Sequence, residues 1–205
     1  MLITIEGIDG SGKSSLLSAL KEDLRDLSPL FTREPGATWI GEQVRRAIAE
    51  HIDPVAEALL FAADHAAHLS TVIRPALREG RLVISDRFTD SRYAYQAVTL
   101  EGILADPHDW IAAVHSGWSV RPDRTFLLVL PVEEAVKRLS GDSLEHFERA
   151  EVLEKVQAQY FALVDADPER FVLIDALKDK NEIAGFVAGE IRNCAGPSRS
   201  HRPRV

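Results

Sequence analysis

The stretch that most constrains this chain is Gly7-Ile8-Asp9-Gly10-Ser11-Gly12-Lys13-Ser14, which follows directly on the apolar run Leu2-Ile3-Thr4-Ile5. It fits the spacing G-x-x-x-x-G-K-[ST], and the strand before it and helical periodicity after it are the context that gives the spacing meaning. Glycines let successive backbone N–H groups turn inward around phosphate oxygens, the lysine reaches the terminal phosphates, and the serine hydroxyl is offered to Mg²⁺. The loop also opens a helix, whose N-terminus favours negative charge. A nucleoside triphosphate held by residues 7–15, Ser15 included, is the expectation, with Ser14 as a metal contact.

With 205 residues, 45% of them hydrophobic, the chain is long enough to bury a proper core and is read as one domain over 1–192. The N-terminus has no charged leader and enters a short strand at once, so no signal peptide is expected. The longest apolar run, Thr125 to Val132, contains Pro131 and is too short to span a bilayer. One cysteine, Cys194, leaves no internal disulfide and no cysteine-cluster metal site. These features point to a cytoplasmic protein with no membrane partner. The formal charge is −8, and four arginines without an acid stand from Arg192 onward, so the rest of the chain is near −12. An acidic body is a poor nucleic-acid binder; polyanionic substrates must be met by local cations and a metal ion. The basic end, 193–205, lacks apolar periodicity and is expected to be disordered.

Leu16, Leu17, Leu20, Leu24 and Leu27 recur at helical spacing up to Pro29, followed by a strand over 30–32 and a turn at Arg33-Glu34-Pro35-Gly36. Helices are expected over 40–50 and from Pro54 to Gly80, the latter kinked at Pro75. Leu82-Val-Ile-Ser-Asp86 reads as a strand buried on both faces. Helices at 91–99 and from 107, a strand at 125–130, helices at 132–139 and 151–165, a strand at 171–175 and a helix at 181–191 complete the pattern. Strands alternating with helices predict an α/β fold, a three-layer doubly wound parallel sheet of about five strands.

Asp86 ends a buried strand on the same sheet edge as the phosphate loop, where such a carboxylate holds Mg²⁺ directly or through water. Arg87 beside it has the planar fork suited to bridging two phosphates. Arg33 and Glu34 lie on a constrained loop of the kind that carries binding residues. By spacing alone Phe61 falls in the apolar stripe of its helix and His65 on the helix surface or in a polar contact. Tyr93, Tyr95 and Gln96 cluster after Asp86-Arg87, and a glutamine amide pairs a donor with an acceptor as a base edge does. His51, His108, His115 and His201 have no metal-ligand spacing and are read as surface residues. The carboxylates Glu133-Glu134, Glu145, Glu148, Asp165 and Asp167 are read as solvated helix faces or ends.

Taken together, Glu6-Gly-Ile-Asp-Gly-Ser-Gly-Lys-Ser14, Thr32-Arg-Glu-Pro-Gly36, Leu60-Phe-Ala-Ala-Asp64, Asp86-Arg-Phe88, Asp90-Ser91 and Ala94-Tyr-Gln96 resemble the thymidylate kinases in order and spacing, from Met1 to about Ile191. The resemblance implies a P-loop nucleoside monophosphate kinase that transfers the γ-phosphoryl group of MgATP to thymidine 5′-monophosphate, as a homodimer. By position it gives the loop to ATP, brings Asp9 to the acceptor sugar or phosphate, lines the acceptor site with Glu34, and puts Arg45 and Arg87 on the acceptor phosphate. It stacks Phe61 on thymine, faces Gln96 to the base, sets Tyr95 where a ribose 2′-hydroxyl would sit, and keeps Asp86 near the metal with Lys13 on the phosphates. Apolar helix faces around Leu59 and Ala94 are compatible with dimerisation.

The departures from the family pattern are specific. His65 stands where the family has a base-contacting arginine, so that His65→Arg is expected to strengthen thymidylate binding. Arg92 stands where a small residue is common and brings charge back. The loop has Ser11 in place of an arginine, and the lid, at about 140–148, has none; Glu145-His146 stand where Asp-Arg is typical. Arg138 and Arg149 flank the lid and are the candidates for the missing catalytic charge, Arg138 first. His65 leaves open a kinase for another nucleoside monophosphate, and the arginine-free lid leaves open a nucleotide-binding regulatory protein with weak or lost transfer.

Overall fold

A computed structural model describes residues 1–139 and 149–196. The expected lid at 140–148 and most of the basic end, 197–205, lie outside the described residues. Five parallel strands form one sheet in the order β2-β3-β1-β4-β5: β1 Leu2–Glu6, β2 Leu30–Arg33, β3 Val83–Asp86, β4 Arg124–Val129 and β5 Phe171–Asp175. All five residues of β1, the central strand, are buried, as a strand covered by helices on both faces must be. Its register pairs Ile5 with Asp86 on one side and with Phe126 on the other. This places the phosphate loop and the end of β3 side by side at the carboxyl edge, where doubly wound sheets bind ligands.

The helices are α1 Lys13–Asp23, α2 Trp39–Glu50, α3 Pro54–His68, α4 Arg74–Arg78, α5 Thr89–Ser91, α6 Ala97–Thr99, α7 Pro107–His115, α8 Val132–Leu139, α9 Ala150–Ala166 and α10 Lys180–Ala195. Local sequence starts several of them. Thr38, Asp53, Asp106 and Asp179 cap α2, α3, α7 and α10 with side-chain acceptors, and Pro54 and Pro107 occupy first-turn positions that need no N–H. By contrast α1 begins at Gly12 with no side-chain cap, leaving its first N–H groups to the loop's ligand.

Two π-helical turns replace regular helix. Where a kink at Pro75 is expected, the rod widens at Leu69–Ile73, and Pro75 then sits in the first turn of α4. A proline cannot donate to the carbonyl four residues back and its ring crowds that carbonyl, and the wider turn relieves both. The second, Arg92–Gln96, joins α5 to α6 and extends the expected helix back to Thr89. Two surface readings are corrected here. Ala94 is fully buried inside the chain and offers nothing to a partner, whereas Leu59 remains 49% exposed. His115 is buried in α7, where its Nδ1–H donates to the Ile111 carbonyl at 2.8 Å.

Candidate active site

The loop between β1 and α1 closes tightly. Gly7 and Gly10 have φ of 140° and 79°, and a Cβ on them would meet the Leu128 carbonyl oxygen at 2.6 Å and the Ala135 carbonyl oxygen at 2.4 Å. Only glycine satisfies both the backbone and the space at these two positions. Lys13 lies under the loop, with Nζ donating to the carbonyls of Gly7 at 3.0 Å and Ile8 at 2.9 Å. Burial, with the charge of Arg87 next, lowers its ammonium to about 8. A cavity of about 680 Å³ opens above the loop; its walls include Gly12, Lys13, Ser14, Ser15, Asp86 and Arg138. Lys180, at the start of α10, also faces it, a cation that the sequence reading missed because it lies far along the chain from any motif.

Asp86 at the end of β3 has a buried Oδ1 without a hydrogen-bond partner, and it shares this cavity with Ser14. An orphaned carboxylate oxygen beside a serine hydroxyl is an oxygen donor set of the kind that Mg²⁺ takes. Ser11 Oγ is likewise buried and unpartnered.

Beside this cavity lies a second one, of about 220 Å³, lined by Asp9, Arg45, Phe61, Arg87, Arg92 and Gln96 together with Pro35, Ile48, Ser91 and Tyr95. Asp9 and Arg87 line both, so the two spaces meet at an ion pair in which Arg87 Nη2 donates to Asp9 Oδ1. Burial alone would raise the Asp9 carboxyl, but Arg87, Lys13 and the Tyr95 hydroxyl, which donates at 2.8 Å, bring it to about 2. Arg87 also lies over the Tyr95 ring at 4.8 Å. Arg45 packs its guanidinium against Gly36, whose φ is 119°. Gln96 is buried to 3% exposure and its amide nitrogen has no partner.

Ser91, at the end of α5, and Arg92, Tyr95 and Gln96, in the π turn that follows it, reach one wall. Their spacings of three and four residues are those of one helical face, which the widened turn keeps toward the cavity.

Glu34, expected on the acceptor side, borders the loop cavity and not the 220 Å³ one, and is buried with an acceptor load that the sequence did not suggest. Its carboxylate takes His65 Nδ1 at 2.9 Å, His68 Nδ1 at 2.6 Å and Arg92 Nη2. Burial opposes the charge, yet Arg92 and His65 hold the carboxyl well below its ordinary range. The Glu34–Pro35 peptide bond is cis. His65 is neither on the helix surface nor on the wall of the 220 Å³ cavity: it is wholly buried, with Nε2 on Ser119 Oγ at 2.9 Å and its ring edge-on to Phe88 at 4.7 Å. Direct base contact by His65 is thereby corrected to support of Glu34; the polar surroundings keep a buried imidazole satisfied. Burial lowers its pKa, against the pull of the Glu34 carboxylate. Of the groups joined to Glu34 the one that lines the cavity is Arg92, its guanidinium 5.0 Å from the centre of the Phe61 ring.

The expected metal, loop and acceptor residues thus gather around two adjoining cavities, with Arg33 exposed at the rim. Of the two flanking arginines, Arg138 has Nη1 3.5 Å from the Gly10 carbonyl and Nη2 3.1 Å from that of Ala176. Arg149 is exposed at the N-cap of α9 and is not among the cavity walls. Glu6, in the first motif but assigned no role, is fully buried, as is Tyr160. Asp90 pairs with Arg170 at 2.6 Å beneath the site.

The family model described as thymidylate kinase matches residues 5–186. A protein named probable thymidylate kinase from Methanoculleus marisnigri is 67% identical over 206 residues, covering 100% of both chains. Proteins of the same name from Methanospirillum hungatei and Methanocorpusculum labreanum are 59% and 55% identical, covering 93% and 94% of this chain and 92% and 98% of theirs. A phosphate loop, a second cavity joined to it at the Asp9–Arg87 pair, and relatives this similar over nearly their whole length lead to one statement: the chain belongs to the thymidylate kinase family.

Proposed function

We propose that this chain transfers the γ-phosphoryl group of ATP to thymidine 5′-monophosphate, giving ADP and thymidine 5′-diphosphate. The observation that carries this reading is the meeting of the loop cavity and the 220 Å³ cavity at Arg87 and Asp9. A donor triphosphate on the loop and an acceptor phosphate in the neighbouring space then share one guanidinium. Phosphoryl transfer asks little covalent help of a protein, so alignment and charge neutralisation are the work to be done.

Gly7–Ser15 would cradle the donor phosphates, with Lys13 on the transferring end and Arg138 leaning over the loop from α8. Ser14 and Asp86 would hold Mg²⁺, which when bound supplies positive charge to the donor phosphates. Arg87 and Arg45 would take the acceptor phosphate, and Asp9 keeps Arg87 turned toward it. Phe61 offers a stacking face to the pyrimidine. Arg92, held by Glu34, and the unpartnered amide of Gln96 offer N–H donors to the polar edge of the base. Tyr95 fills the space beside Asp9 where a ribose 2′-hydroxyl would enter. His65 and His68 fix the Glu34 carboxylate and through it Arg92.

A homodimer in the cytoplasm belongs to the same reading, supported by family membership and by the exposed Leu59. Among the described residues no helix is long and apolar enough to cross a membrane. The test is a coupled assay of ADP release with MgATP and a panel of nucleoside monophosphates. Turnover that depends on the acceptor and is highest with thymidylate is expected. A preference for a different base would move the reading to another monophosphate kinase, and tight ATP binding without turnover to a regulatory protein.

A further inference from the structure

Glu6 is wholly buried at the end of β1, and everything it touches leads to Arg87. Its Oε1 accepts the backbone N–H of Phe88 at 2.7 Å. Its Oε2 accepts the hydroxyls of Ser91 at 2.6 Å and Tyr160 at 2.8 Å. The two hydroxyl oxygens lie 2.9 Å apart, and with both protons turned toward Glu6 their lone pairs are left for a donor on the other side. That donor is Arg87 Nη1, 3.1 Å from Ser91 Oγ and 3.5 Å from Tyr160 Oη.

The backbone tells the same story. Arg87 has φ of 61°, a left-handed conformation that strains a side-chain-bearing residue. It persists because its surroundings fix it: its N–H donates to the Ile5 carbonyl at 3.0 Å, its carbonyl accepts from Ser85 Oγ at 2.7 Å, and the next N–H is the one held by Glu6. Glu6 therefore holds Arg87 twice, through the peptide that follows it and through two oriented hydroxyls.

We infer that Glu6 and Tyr160 are positioning residues for the acceptor phosphate: they aim the Arg87 guanidinium and hold its strained backbone, without touching substrate. The inference rests on the assignment of Arg87 to the acceptor phosphate. Tyr160 comes from α9, so the grip on the acceptor depends on a helix that belongs to neither the loop nor the acceptor wall.

Two near-isosteric variants test it, assayed at about pH 8 because burial and the charge of Asp90 push the Glu6 carboxyl up. Glu6→Gln puts donors where acceptors stood, turning the hydroxyl protons toward Arg87. It is expected to raise the acceptor KM about tenfold or more with the ATP KM nearly unchanged, while Tyr160→Phe raises the acceptor KM by a smaller factor. Arg87→Ala raises it too, and Tyr160→Phe added to Arg87→Ala brings no further loss, as expected when one residue acts only through the other. Equal losses in both KM values, additive effects in the double variant, or a Tyr160→Phe enzyme with the parent's acceptor KM would overturn the inference while leaving the role of Arg87 intact. An unchanged acceptor KM in Arg87→Ala itself would overturn the assignment of Arg87 and the inference with it.

Discussion

Arg92 and His65 share one carboxylate, and that decides what a substitution at either will do. The charge absent from α3 at His65 is supplied from the turn after β3 by Arg92, anchored on Glu34 and lying over Phe61. Arg92→Ala should therefore raise the thymidylate KM at least about tenfold, the scale of a lost charge-assisted hydrogen bond, with the ATP KM unaffected. The structure also reverses the outcome expected for His65→Arg. The pocket of His65 is closed by Phe88, Ser119 and Trp118, and Glu34 already holds a guanidinium. The single change should weaken thymidylate binding by calorimetry, and pairing it with Arg92→Ser should recover part of the loss. A stronger-binding single variant would show that the two cations do not compete. At the other cavity, Arg138→Ala should lower turnover by tenfold or more with little change in ATP affinity, and Arg149→Ala should leave turnover close to the parent's, as their places predict.

At the scale of elements, the phosphate loop and α8 are one mechanical unit. The Ala135 carbonyl of α8 lies where a Cβ on Gly10 would go, and the same helix carries Arg138 over the loop. Gly10→Ala should thus do more than strain a positive φ: it should push the loop and α8 apart and displace Arg138. A loss of ATP affinity and of turnover, each about a hundredfold, is expected by titration and steady-state kinetics, with about 1 to 3 kcal/mol lost in denaturant unfolding. The π turn at 92–96 is the second such unit. Arg92 and Gln96, four apart within it, lie on one wall of the 220 Å³ cavity, so this turn carries two of the polar groups that face that space.

Across the whole molecule, buried histidines tie stability to pH. His115 packs against Trp118 with ring centres 5.4 Å apart, and burial lowers its pKa from 6.5 to about 4. In the unfolded chain it takes a proton near 6.5, while in the folded chain it resists until about 4. Folding is therefore penalised progressively as the pH falls through that window, and the stability is fully present above it. Over the whole window the penalty is about 3 kcal/mol. His65, shifted in the same direction by burial, adds to it. Denaturant unfolding at pH 7.5 and pH 4.5 should show His115→Leu losing about 2 kcal/mol less than the parent between the two. Equal losses would remove His115 from the account.

The parallel sheet, the loop and its triphosphate, and the neighbouring carboxylate and arginine were legible in residues 2–15 and 82–87, because buried strands and phosphate loops are local: period, glycine spacing and strand end stand next to each other in the chain. Resemblance then named most of the residues that line the 220 Å³ cavity. What sequence left open depended on distance and direction. That Glu34 gathers two histidines and Arg92, that His65 and His115 lie inside, that Lys180 faces the loop cavity, and that Glu6 and Tyr160 hold Arg87 all join residues tens of positions apart. Such contacts are set by how helices pack on the sheet, and a buried polar group reveals its purpose only when its partners are in place.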